Sequence, residues 1–203
     1  MAGKVIIESG ANTGLGFLSA QILCREGHEV ILACRNQEKG KAAVERIIRE
    51  NPIAKATYMH LDVAGFSSVR EFVDEFHKTG KKLDILINNA GLLAPDKTTK
   101  HYTVDNFELT MGTNHLGPFL LTNLLLDDLK SSASQNGEAR LVVLTSMIHD
   151  PQKAKTFGAF IPKTEFMRGN STAADPPHTF FQTVKFHMDT RTRSSGSCGP
   201  GHQ

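Results

Sequence analysis

Val5-Ile6-Ile7-Glu8-Ser9-Gly10-Ala11-Asn12-Thr13-Gly14-Leu15-Gly16 decides how the rest of the chain is read. The apolar run Val5 to Ile7 predicts a buried strand, and Gly10, Gly14 and Gly16 predict a tight turn that runs straight into a helix. Glycine lets backbone approach backbone, and the first N–H groups of a helix have no partners inside it. Together they form a cradle in which a diphosphate can settle. Three glycines alone are common in loops; their place between a strand and an amphipathic helix is what points to a dinucleotide.

Beyond this turn, short apolar runs alternate with helical patterns. The first helix runs from Gly14 to Gly27, with Leu15, Leu18, Ile22 and Leu23 expected to face inward. Glu29 to Ala33 is a second strand, and Gln37 to Glu50 a helix with Val44, Ile47 and Ile48 on one face. A third strand, Ala56 to Leu61, ends at Asp62; Ser67 then caps a helix whose Val69, Phe72, Val73 and Phe76 recur at helical spacing. Leu83 to Ile87 is a fourth strand, Asp105 to Lys130 a long helix, and Leu141 to Leu144 a fifth strand. This alternation predicts an α/β fold, a Rossmann-type doubly wound parallel sheet in the order 3-2-1-4-5 with its ligand at the carboxyl edge. Residues 1–150 are read as the dinucleotide-binding domain and 151–203 as an irregular, partly disordered segment, because prolines interrupt the periodicity and the end is Ser/Gly/Arg-rich. The sheet is therefore expected to be incomplete on its C-terminal side, with the fifth strand left as an edge.

Composition narrows the function classes. Of 203 residues, 39% are hydrophobic and 22% charged, which reads as one soluble domain. Residues 151–203 carry seven Lys/Arg against three Asp/Glu, a slight excess that reads as a solvated or disordered tail, so nucleic acid is not the expected partner. Cys24, Cys34 and Cys198 are too widely spaced for a disulfide framework or a zinc site, and the histidines form no HExxH pair; no metal is expected. With no secretory h-region and no apolar run long enough to span a bilayer, a cytoplasmic location is the expectation.

Cofactor choice should be set at the end of the second strand, where an acidic residue would accept hydrogen bonds from a ribose 2′-hydroxyl. Ala33-Cys34-Arg35-Asn36 stands there instead, and Arg35 can face a 2′-phosphate, which favours NADP(H) over NAD(H); the alternative is a solvated arginine that starts a helix. Asp62 lies near the expected adenine site or serves the next helix. Asn88-Asn89-Ala90-Gly91 closes the fourth strand, where its amides can stitch strand ends together beneath the cofactor's ribose.

These pieces, with Leu61-Asp62-Val63, Thr113-Asn114-His115-Leu116-Gly117 and Leu141–Ser146, resemble the short-chain dehydrogenase/reductase family over about residues 4–150, most closely its retinol dehydrogenase and protochlorophyllide reductase-like branch. The resemblance implies an NADP(H)-dependent oxidoreductase acting on a carbonyl or alcohol. It implies that Gly10, Gly14, Leu15 and Gly16 hold the diphosphate and that Asn12 and Arg35 lie near the adenosine phosphate. It places Asp62 and Val63 at adenine, and Asn89, Ala90 and Gly91 at the cofactor ribose. Asn114 and Ser146 fall on two members of the family's Asn-Ser-Tyr-Lys catalytic set. Asn114 also has its own physical argument: Pro118 cannot donate to the Asn114 carbonyl, so the helix should kink there and free a carbonyl for a water.

Two departures stand out. The chain has only Tyr58 and Tyr102, both upstream of Ser146, and neither is followed four residues later by lysine. Phe181-Gln182-Thr183-Val184-Lys185 keeps that spacing with a bare ring in place of the phenol. Glu8 puts a carboxylate in a strand that should be apolar. The alternative reading is therefore a non-catalytic nucleotide-binding protein or an inactive truncated isoform. Leu92, Leu93, Phe157 and Phe160 hint at a lipophilic substrate, and Leu120, Leu121, Leu124 and Leu125 serve either a homodimer contact or the core.

Overall fold

The computed structural model describes residues 3–93 and 99–145. Five strands form one parallel sheet: β1 (Val5–Ser9), β2 (Glu29–Cys34), β3 (Lys55–His60), β4 (Ile85–Asn88) and β5 (Arg140–Val143), in the order β3-β2-β1-β4-β5. Between them lie α1 (Gly14–Arg25), α2 (Gln37–Glu50) and α3 (Phe66–Lys78). After β4 come a short helix α4 (Leu109–Met111), a π-helical turn (Gly112–Leu116), α5 (Gly117–Leu124) and α6 (Leu126–Asn136). The expected order and the doubly wound arrangement are therefore found.

Alternation along the strands makes two cores. Ile7, Ile31, Ala33 and Leu86 pack with Val69, Phe72, Val73 and Phe76 of α3 and with Leu121, Leu125 and Leu129. Ile6, Val30, Leu32 and Cys34 face Phe17, Ala20 and Cys24 of α1 and Ala43 and Ile47 of α2. Burial on both faces explains why β1 and β2 are nearly continuous apolar runs. The central strands are joined in register, with Val5 opposite Glu29, and Ile6 opposite Ile85.

Several expectations are corrected. The inward face of α1 is Gly16, Phe17, Ala20 and Cys24, whereas Leu15, Leu18 and Ile22 are exposed. Gly16 lets the start of the helix approach the Asn89 side chain and the Gly10 carbonyl, and Ala20 and Cys24 add little bulk along the same face, which leaves room for one large side chain, Phe17. Ile48 is likewise exposed on α2. Gly65, not Ser67, is the N-cap of α3; the Phe66 N–H donates to the Asp105 carboxylate at 2.7 Å, across 39 residues of chain. The single helix expected over Asp105–Lys130 is broken. Pro118 supplies no N–H, and the chain answers with the π-helical turn, where the Gly117 N–H donates to the Gly112 carbonyl. Leu121 and Leu125 are fully buried, and Leu120 and Leu124 pack against the same core, so these leucines are spent inside the fold. Among the described residues β5 pairs only with β4, and Val142 and Leu144 are exposed at that edge.

Candidate functional site

Strand order reverses between β1 and β4, so the connections leaving their carboxyl ends diverge to opposite faces and open a crevice. The glycine turn and the Asn88–Gly91 loop meet there. Gly10 takes φ +69°, and a Cβ on it would lie 2.9 Å from the Ala90 Cα, so only glycine lets the two backbones touch. A Cβ on Gly16 would fall 2.4 Å from the Asn89 Nδ2 and 2.8 Å from the Gly10 carbonyl oxygen. Asn89 donates from Nδ2 to the carbonyls of Ser9 (2.9 Å) and Gly10 (3.2 Å).

Ser9 is the hub that sequence reasoning missed. Its Oγ accepts from the Asn89 and Ala90 N–H groups at 3.1 and 3.0 Å and lies 3.4 Å from the Ile87 carbonyl, its acceptor. The only signal in the sequence is a hydroxyl one residue before the first glycine. Asn88 holds the other side, donating to the Thr122 hydroxyl at 2.9 Å.

The α1 N-terminus meets the requirements of an anion site. Its N-cap Thr13 makes no side-chain hydrogen bond to the first turn, and that turn contains no acidic residue. Among the described residues no side chain is seen accepting from the leading N–H groups. Asn12 is half-buried beside Gly14, which takes φ +58°, and Leu15 is exposed. Beneath the turn lies the Cys34 thiol, against the N–H groups of Ala11 and Asn12; burial pushes it up to about 11, so it stays protonated.

Arg35 and Asp62 form the far rim. Arg35 is exposed and its Nη1 stands 3.9 Å from the Asp62 Oδ2, while the other Asp62 oxygen accepts from the Ala64 N–H at 2.9 Å. Arg35 does not cap a helix; Asn36 does, accepting from the Lys39 N–H at 2.8 Å. Val63 is buried, with its side chain in the core.

Asn114 sits in the π-helical turn and clamps the loop after Gly91. Its Oδ1 accepts from the Leu92 N–H and its Nδ2 donates to the Leu92 carbonyl, both at 2.8 Å. Its side chain is therefore occupied, and its backbone carbonyl is what faces the missing Pro118 donor. His115 beside it is half-buried, which holds its imidazole below the usual value of 6.5. Ser146, Phe157, Phe160, Phe181 and Lys185 lie outside the described residues. The two tyrosines stand elsewhere: Tyr58 on β3, its ring against Gly40 and its hydroxyl 3.3 Å from the His60 Nδ1, and Tyr102 in a bridge with Glu108. No group of His, Cys, Asp and Glu among the described residues could hold a metal ion, and no described helix is long and apolar enough to cross a membrane.

Comparison with known proteins agrees with this arrangement. The short chain dehydrogenase family profile matches residues 4–156. Human retinol dehydrogenase 13 is 46% identical over 148 residues, which cover 72% of this chain and 42% of the human protein. The chloroplastic protochlorophyllide reductase of Chlamydomonas reinhardtii is 41% identical over 145 residues, 71% of this chain and 36% of that enzyme. The chain thus spans less than half the length of these curated relatives. Among solved structures, an uncharacterized protein from Mycobacterium paratuberculosis matches with TM-score 0.57 and 39% identity, covering 74% of this chain and 48% of its own. The Pseudomonas aeruginosa RhlG/NADP active-site complex matches with TM-score 0.61 and 26% identity, covering 72% and 56%. A crevice stitched by Ser9 and Asn89 at the strand-order reversal, on a chain that matches this profile over most of its length, belongs to the short-chain dehydrogenase family.

Proposed function

We propose that the chain binds a nicotinamide dinucleotide in this crevice, NADP(H) in preference to NAD(H), as part of an oxidoreductase acting on a carbonyl or alcohol. The supporting observation is the junction at Gly10, where a helix start without a side-chain cap meets the Asn89 clasp and only glycine fits between the backbones. Gly10, Asn12, Gly14, Leu15 and Gly16 would line the diphosphate, and Arg35 would turn from Asp62 to a 2′-phosphate. Asp62 and Val63 would border adenine, and Asn89, Ala90 and Gly91 the ribose. When bound, the cofactor would supply or accept a hydride.

The chain's own contribution is positioning. The Asn114 clamp holds the loop at Leu92, and its backbone carbonyl, to which Pro118 cannot donate, would hold a water for proton transfer. Ser146, by its resemblance to the family pattern, would hydrogen-bond the substrate oxygen. Half-buried Leu92 and exposed Leu93 suit a lipophilic substrate. Loss of one general acid typically slows turnover about 10²–10⁴-fold, so the absence of a Tyr-x-x-x-Lys motif favours a second reading, a dinucleotide-binding protein without turnover.

Fluorescence titration with NADPH and NADH, run beside turnover of small and lipophilic aldehydes, tests both. Saturable binding with NADPH the tighter ligand is expected. Binding with turnover supports the oxidoreductase, binding without it the second reading, and no binding to either dinucleotide removes both.

A further inference from the structure

Glu8 is the polar side chain that the proposed site does not use. It lies in the middle of β1, opposite Leu32 on β2 and Ile87 on β4, two residues before the glycine turn. Alternation points it to the same side as Ile6, beneath α1, and it is 1% exposed. Ser19 of α1 hydrogen-bonds the carboxyl, yet Oε2 has no protein partner. The titratable groups that face it are thiols: Cys24 from α1 and Cys34 from β2, both pushed by burial up to about 11 and therefore neutral. On β3, Tyr58 lies near Cys34, and burial raises its phenol. On α2 the facing residues are Ala43 and Ile47, while Arg46 is turned outward over the Phe17 ring, 4.6 Å from its centroid. Among the described residues no cation compensates a charge on Glu8. Burial raises its carboxyl to about 7 from the ordinary 4.5, against a smaller downward pull from Ser19.

Cys34 joins this pocket to the cradle, since Glu8 on β1 precedes Gly10 by two residues and Cys34 ends the neighbouring strand. The Cys34 sulfur touches the Ala11 and Asn12 N–H groups from below, and it senses the Glu8 charge. A carboxylate formed at Glu8 therefore sets negative charge under the amides meant to receive a diphosphate. We propose that dinucleotide binding requires Glu8 in its neutral, protonated form, so that the protein takes up a proton from solvent at this carboxyl as the diphosphate settles. The inference rests on the cofactor reading above. The sign follows from like charges: the diphosphate opposes ionisation of Glu8, and by reciprocity ionised Glu8 opposes the diphosphate. Affinity should fall as pH rises through about 7. The apo protein should lose stability over the window from 4.5 to about 7, because the unfolded chain ionises Glu8 freely while the fold does not.

Calorimetric titration of the full chain with NADPH and NADH, near pH 7 in two buffers of different ionisation heat, reads the proton directly. Uptake of a fraction of a proton is expected, together with a roughly tenfold weaker Kd at about pH 8 than at about pH 6, the factor for one unit of coupling. Glu8→Gln keeps the shape of the neutral acid and should bind with the slope removed. The ligand's phosphates and His115 titrate nearby and remain in E8Q, so the difference between the two proteins isolates Glu8. The wild-type buffer dependence stands as a test even if E8Q fails to fold. Binding without proton uptake, or an equal slope in E8Q, overturns the coupling and leaves the cofactor site intact. Absence of binding at every pH removes the cofactor site and the coupling with it.

Discussion

Replacing Asp84 with alanine should unfasten the sheet from α6. Asp84 is 6% exposed and its carboxylate accepts from three groups on two elements, β1 and α6. The Val5 N–H reaches Oδ2 at 2.8 Å, while Oδ1 takes the Ser132 hydroxyl and the Asn136 amide, the latter at 2.9 Å. Its backbone is bonded on both sides too, donating to Val5 and accepting from Arg140 of β5 at 2.9 Å. Alanine leaves the backbone bonds and removes the acceptor. Asn136 is exposed and turns to water; Ser132 is 1% exposed and cannot. Orphaning the buried Ser132 hydroxyl and the part-buried Val5 N–H at about 1–3 kcal/mol each, less the relief of no longer burying a carboxylate, gives a net loss of about 3 kcal/mol. With an m-value of about 1.5 kcal/mol/M, the urea midpoint of D84A should fall by about 2 M.

The pH arm has a definite sign. Burial by itself would raise the Asp84 carboxyl, but the bonds from Ser132, Val5 and Asn136 and the nearby Lys4 charge outweigh it and hold it below the ordinary 3.8. A depressed carboxyl contributes stability above its unfolded value, and that contribution is lost as pH falls through the folded one. Wild type and D84A should therefore differ most near neutrality, and the gap should narrow in acid below pH 3.8, where the neutral acid keeps only part of its acceptor role. A midpoint shift under about 0.5 M, or a gap that persists unchanged into strong acid, would refute the reasoning.

Other substitutions probe the site. Arg35→Ala should weaken NADPH about 10–100-fold, the worth of a charge-assisted contact, and leave NADH within a few-fold; equal losses for both would count against a 2′-phosphate role. Gly16→Ala drives a methyl into Asn89 and the Gly10 carbonyl, so dinucleotide titration should show at least a tenfold loss, and unchanged affinity would disprove the close approach. Asn114→Ala frees Leu92 from two bonds of 2.8 Å, and hydrogen exchange at the Leu92 amide should accelerate by about tenfold or more while α3 is unaffected.

Recognition of the fold from sequence rested on local features. Val5–Ile7 beside a glycine turn, and Val69, Phe72, Val73 and Phe76 at helical spacing, belong to single elements whose period can be read without neighbours. Pro118 was legible for the same reason, since a missing N–H breaks its own helix wherever that helix sits. The proposed diphosphate cradle shares this locality: turn, glycines and helix start are contiguous.

What tertiary structure alone decided involves residues distant in sequence. Leu15, Leu18 and Ile22 satisfy the helical period as well as the buried set does, and only the close approach of the α1 start at Gly16 turned the face with Phe17, Ala20 and Cys24 inward instead. Asp105 caps α3 from another loop, Ser9 receives the amides of Asn89 and Ala90, and Asn114 spends its side chain on Leu92. Glu8 looked misplaced in sequence, but its burial among two thiols beneath the cradle followed from packing. A chain announces its elements through short-range sterics, while hydrogen-bond partners and buried charges are assigned only when those elements meet.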